Sequence, residues 1–177
     1  MAFTPEDGSG KPDANSLGSV GQIDDYFNTR GQPAWAGLNA TDEAKQAALI
    51  LATDYICAEY GLEFKGYPAN AAQSLPFPRA QLVDPRSGNY YPTDLVPGPV
   101  LHALFELAKI AAEKKTLYNT AQPSDRQVIE KKTGPLETKW QPRKTEEVTA
   151  ANRYPFVRQL LQPMLKGSGF TLTSRRV

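Results

Sequence analysis

The sequence predicts a mainly α protein: a small helical bundle with long ordered loops, one β-hairpin arm and an extended C-terminal tail. Three observations carry this. Apolar residues recur at helical spacing in four segments, each bounded by capping or stop residues. Thirteen Gly and 15 Pro among 177 residues, about 16% against roughly 12% in average usage, cut the chain into short pieces and exclude a long helical rod. The 40% apolar content suffices for one core, and 19.4 kDa makes one domain with appendages. The pieces are an N-terminal extended arm (1–18), a helical core (19–122) holding an irregular loop (62–97), a basic hairpin arm (123–145), a C-terminal helix (146–166) and an extended tail (167–177).

The elements follow in order. Glu6-Asp7-Gly8-Ser9-Gly10-Lys11-Pro12-Asp13 is turn chemistry, so the N-terminal arm reads as a short extended piece and then a loop. Ser19 with Gln22 three residues on is a capping-box pattern; Ile23, Tyr26 and Phe27 give an i, i+3, i+4 face, and Gly31 supplies the stop of a helix over about 19–30. Thr41 caps the second helix, with Asp42 and Glu43 in the first turn where the helix dipole favours acids. Its apolar face is read as Ala44, Ala48, Leu51, Tyr55 and Ala58, widened by Leu49, Ile50 and Ile56; Gly61 ends it. The small residues Ala44, Ala47, Ala48 and Ala52 admit a close neighbour.

Residues 62–97 are irregular, and a connection this long is often functional. Leu75, Phe77, Leu82 and Val83 predict that it is tacked onto the core, with a turn at Asp84 to Gly88 between two short extended pieces. The third helix, about 98–114, starts at Pro97 or Pro99 and carries Val100, Leu101, Leu104, Phe105, Leu107, Ala108 and Ala111. His102, Glu106, Lys109 and Glu113 form its one polar stripe, which suggests contact with a neighbouring subunit as well as with its own core. Two extended runs around Thr133-Gly134-Pro135 predict a hairpin, with Leu136, Thr138 and Trp140 on one face and Glu137 and Lys139 on the other. A lone hairpin is marginal in water, so it must pack on something; a neighbouring copy is one solution. In the last helix, about 154–165, Val157, Leu160, Leu161 and Met164 form the stripe, and Pro163 should kink or shorten it.

Composition narrows the function. The net charge of +1 divides into −6 over residues 1–100 and +7 over residues 101–177. Such a chain stacks head to tail with its copies, holds its basic end against a polyanion, or mixes its charges once folded. One Cys excludes a disulfide framework, and one His leaves a His-rich metal site without ligands. No run of 18 apolar residues exists and the N-terminus lacks signal-peptide features, so a protein made and kept in the cytoplasm, or assembled into something there, is expected, with no membrane partner. For catalysis the inventory is poor. His102 beside Glu106 lacks a second His, Cys57 sits in an apolar helix, and no phosphate-binding loop or nucleophile elbow is present. No enzyme and no cofactor are expected. For nucleic acid, Arg126, Lys131, Lys132, Lys139, Arg143 and Lys144 could neutralise phosphates, and Trp140 either stacks on a base or is buried under the hairpin. For protein partners, the tail Phe170-Thr171-Leu172-Thr173-Ser174-Arg175-Arg176-Val177, after Gly167-Ser168-Gly169, either adds a strand to another protein's sheet or frays.

The order of motifs carries a resemblance. Phe3-Thr4-Pro5-Glu6-Asp7-Gly8 leads to Asp13-Ala14-Asn15-Ser16, Asp25-Tyr26-Phe27, Trp35 and the helix Ala47 to Ile56. Gln73-x-Leu75-x-Phe77-Pro78-Arg79, Val96-Pro97, Lys131-Lys132-Thr133-Gly134-Pro135 and Tyr154-Pro155 follow. Over residues 3–165 this resembles a family of tailed-phage proteins often labelled DnaT-like single-stranded-DNA-binding proteins, similar in size and helical layout to head–tail connector adaptors. The resemblance implies a virion protein at the head–tail junction, assembled in the host cytoplasm. It would form a twelve-membered ring beneath the portal, through which double-stranded DNA passes. A downstream tail, nozzle or terminator protein would follow it. It further implies that Phe170, Thr171, Leu172, Thr173, Arg175, Arg176 and Val177 bind the portal, while Lys131, Lys132, Lys139, Trp140, Arg143 and Lys144 face the channel or a neighbour. The alternative expectation is a soluble replication accessory that holds single-stranded DNA through the basic hairpin and Trp140.

Overall fold

The computed structural model describes residues 2–32, 35, 37, 41–113, 116–118, 128–132, 137–140 and 154–167 of the 177-residue chain. In chain order the elements are α1 (Val20–Thr29), α2 (Asp42–Tyr60), β1 (Tyr67–Pro68), β2 (Arg79–Ala80), α3 (Gly98–Ala112), β3 (Val128–Lys132), β4 (Glu137–Trp140) and α4 (Pro155–Leu161). A 3-10 turn over Gln162–Met164 continues α4.

Local chemistry sets the helix ends. The Gln22 N–H donates to Ser19 Oγ (3.3 Å) and the Ser19 N–H to Gln22 Oε1 (2.9 Å), closing the capping box of α1. Gly31, at φ 61°, turns the chain away from its C-terminus. Thr41 Oγ1 accepts from the Ala44 N–H at 3.3 Å and caps α2. Pro99 lies in the first turn of α3, where a missing N–H costs no bond. Pro163 lacks the N–H that a further α turn needs, and α4 tightens into the 3-10 turn after Leu161.

α2 and α3 form the central pair; α4 packs on α3, and α1 packs against both members of the pair. Leu49, Tyr55 and Ile56 of α2 and Val100, Leu104 and Leu107 of α3 are fully buried. Each such aliphatic side chain contributes about 2 kcal/mol by leaving water. The buried face of α2 is rotated from the expected one. Ala44, Ala47 and Ala58 are exposed and Leu51 is half-exposed, whereas Ala52 and Thr53 are buried. The helix is apolar around most of its girth, so spacing alone leaves its rotation open. Thr53 points inward, where its Oγ1 accepts the Leu17 N–H at 3.1 Å.

The N-terminal segment folds back on itself, with Pro5 and Ser16 paired in a bridge. The Glu6 N–H donates to the Ser16 carbonyl (2.8 Å) and the Asn15 N–H to the Thr4 carbonyl (2.9 Å). The Glu6 carboxylate, 5% exposed, accepts from the N–H groups of Gly8 and Gly10 (2.9 Å each) and Lys11 (3.0 Å). A buried carboxylate is costly without partners, and here backbone donors satisfy it. Gly8 is required twice over: its φ is 104°, and a Cβ there would overlap the Asp94 carbonyl.

Residues 62–97 are packed on the core through Leu75, Phe77 and Leu82, while Val83 stays 40% exposed. Tyr67 pairs with Ala80 between antiparallel β1 and β2, and a Val83–Tyr90 bridge flanks the Asp84 to Gly88 turn. Arg79 organises the loop. It is 6% exposed, and its guanidinium donates to the carbonyls of Lys65 (2.7 Å), Gly66 (2.8 Å), Pro76 (3.1 Å) and Phe64 (3.3 Å). Burial pulls its pKa below the ordinary arginine value. The end of the described chain joins this loop through a Phe64–Leu165 bridge and a Lys166 N–H to Glu63 carbonyl bond of 2.6 Å.

Candidate nucleic-acid interface

The expected hairpin is present: β3 and β4 pair antiparallel. Its register sorts the basic residues. Glu130 faces Lys139 and Lys132 faces Glu137, whereas Lys131 faces Thr138 and Val128 faces Trp140. Strand alternation then puts Lys131 on the face shared by Thr138 and Trp140. Lys132 and Lys139 share the other face, each in a position opposite an acid. The strands thus divide the candidate set into a face with one lysine and one tryptophan, and a face of alternating charge. Arg143 and Lys144 lie outside the described residues, as do Arg126 and the expected portal-binding residues Phe170, Thr171, Leu172, Thr173, Arg175, Arg176 and Val177.

Tyr118 and Tyr154 lie on either side, in the sequence, of the basic segment that holds the hairpin. These two points are adjacent, since the Tyr154 hydroxyl donates to the Leu117 carbonyl at 3.5 Å. Four rings gather there. Tyr55 lies 5.6 Å from Tyr118 and 5.4 Å from Tyr154, and Phe156 is 6.3 Å from Tyr154. The arrangements are tilted or edge-on, which suits the ring quadrupoles. Tyr55 is fully buried, whereas Tyr118 is 46% and Phe156 37% exposed. Burial pushes the Tyr118 hydroxyl above its ordinary pKa, and the nearby Asp54 and Glu59 push it the same way. The body therefore exposes aromatic surface here beside Asp54 and Glu59. Sequence reading missed this cluster. Its signal was a tyrosine at each edge of the basic segment, taken only as a helix start at Tyr154-Pro155.

Within the chain, the polar stripe of α3 meets α1 and the residues just after it. The Tyr26 hydroxyl of α1 donates to Glu106 (2.9 Å), Lys109 donates to Gln32 Oε1 (2.7 Å), and the His102 ring lies 5.0 Å from that of Tyr26. Glu106 and His102 thus meet Tyr26 of α1, and Lys109 meets Gln32 beyond its end. The Glu113 backbone closes α3, its N–H donating to the Lys109 carbonyl at 3.1 Å. Burial, then the Glu106 hydrogen bond, pushes Tyr26 to about 12. Burial, then Arg30, holds the His102 imidazole below its ordinary pKa. A shallow groove of about 330 Å³ opens beside these residues, with Arg30 stacked 3.5 Å from the Tyr26 ring centre. Cys57 is partly buried; burial and Asp54 push its thiol to about 11, so it is mostly protonated near neutrality. Among the described residues no group of three or more His, Cys, Asp or Glu side chains could hold a metal, and no helix is long and apolar enough to cross a membrane.

A family profile described as "Putative DnaT-like ssDNA binding protein" matches residues 1–177. The chain belongs to this family. The match reaches both ends and so extends past the 3–165 span that carries the sequence resemblance. The family's description speaks of single-stranded DNA, in line with the second of the two functional expectations; it mentions no ring, portal or tail. No curated protein and no solved structure matches the chain.

Proposed function

We propose that this protein binds single-stranded DNA, without reading its sequence, through the arm's Lys131–Trp140 face. The observation that carries the reading is the family match over the whole chain. The geometry supports it: single-strand binders combine basic charge along the backbone with aromatic faces for the bases, and the hairpin register puts one of each on the same face. Lys132 and Lys139 contribute less, because each faces an acid across the ladder. The role is one of holding, not of catalysis, and it requires no cofactor. Titration of a labelled oligothymidylate over a salt series tests it. Affinity should fall as salt rises, and Lys131→Ala should lower the log–log slope by about 0.7, one single-strand phosphate contact. Salt-independent association, or none, would contradict the reading.

A second reading has one observation in its favour. Among the described residues the hairpin's sheet has only two strands, and a two-stranded sheet gains stability by packing on a further surface. A neighbouring copy in a head-to-tail adaptor ring would supply one. In that reading the ring sits beneath a portal in a virion, the segment from Phe170 to Val177 grips the portal, a tail or nozzle protein follows, and double-stranded DNA passes through. Cryo-imaging of the purified protein separates the two. A closed ring, with attachment to filled heads lost on deletion of residues 167–177 and no salt-sensitive oligothymidylate binding, would favour the adaptor.

A further inference from the structure

We infer that Tyr118 and Phe156, at the root of the arm, form a second stacking platform that holds bases of the strand the arm binds. The inference rests on the single-stranded-DNA reading and deepens it. Both rings keep a large exposed share, 46% and 37%, while belonging to a cluster whose central ring, Tyr55, is fully buried. Ring contacts of 5.4 to 6.3 Å run from Tyr118 through Tyr55 and Tyr154 to Phe156, and the cluster is seated on α2 and α4. The two outer rings are thus backed by rigid elements and present apolar surface that a base can cover at little entropic cost. Their place decides the occupant. Leu117 and Tyr154, which flank the basic segment in the sequence, meet by a hydrogen bond, so both ends of that segment are tethered beside these rings. Asp54 and Glu59 act on Tyr118, which disfavours phosphates at this spot and leaves it to the uncharged bases.

Stacking and phosphate neutralisation leave different signatures. Tyr118→Leu and Phe156→Leu keep apolar bulk and remove the ring face. Each should weaken oligothymidylate binding by about tenfold with an unchanged salt slope. Tyr118→Phe should retain the affinity of the unaltered chain, and DNA should quench tyrosine fluorescence in the unaltered chain more than in Tyr118→Leu. Thermal unfolding of each variant checks that the fold is kept, and the Tyr118→Phe comparison and the quenching stand even if a leucine variant unfolds. Binding by the unaltered chain with equal affinity in all variants overturns this inference alone. No binding by the unaltered chain overturns the single-strand reading and this inference together. Self-association lost in the leucine variants, with DNA binding intact, assigns the platform to a second copy of the chain and overturns it as well.

Discussion

The irregular segments of the body and the hairpin arm use charge in opposite ways. In the body, Glu6 and Arg79 are turned inward, 5% and 6% exposed, and backbone groups satisfy both. The anion collects three N–H donors, and the cation collects four carbonyls. Each bonds backbone groups that lie outside the helices and the strands β1 and β2. In the arm the ladder itself satisfies the backbone, and the charged residues occupy facing positions on strands. Charge in the body serves folding, and removing it should cost stability. In the arm, under the proposed function, it serves a ligand, and removing it should cost binding.

The largest expected effect on stability lies at Arg79. Arg79→Met should destabilise the protein by about 3 kcal/mol or more, because it leaves buried carbonyls without donors; denaturant unfolding measures this. Next comes Gly8→Ala, at about 2 kcal/mol, combining a left-handed backbone with the clash at Asp94. A smaller effect follows from His102. Because its folded-state pKa is depressed, the unfolded chain takes up the proton first. Stability should be unaffected by this group above about pH 6.5 and decline as pH falls below it, and His102→Gln should remove that part of the decline. The smallest effect is expected in the arm: Lys131→Ala should leave stability within about 0.5 kcal/mol of the parent while weakening DNA binding. A large stability loss at Lys131, or none at Arg79, would erase the contrast between the two regions.

Local chemistry was legible in the sequence. The Ser19–Gln22 box, the Thr41 cap, the Gly31 stop, the Pro163 break and the hairpin each depend on residues a few positions apart. The rotation of α2 was not, because Leu51 and Ala52 are both apolar and the choice between them rests on Thr53 meeting Leu17, 36 positions away. The inward turn of Glu6 and Arg79 was equally hidden. A charged residue among Gly and Pro carries no local sign of burial, and only the folded loops bring donors and acceptors around it. At the candidate interface the basic segment and Trp140 could be picked out by type. Alternation along one strand already separated Trp140 from Lys139; placing Lys131 and Lys132 beside them needed the register, which a shift at Val128 to Glu130 alters.

The most direct test of the central claim compares Lys131→Ala with Lys132→Ala in oligothymidylate binding across a salt series. The unaltered chain should bind with affinity that falls as salt rises. Lys131→Ala should flatten that dependence by about 0.7 in log–log slope, and Lys132→Ala, opposite Glu137, should flatten it less. Absence of binding by the unaltered chain at low salt, or equal slopes in all three proteins, would contradict the account.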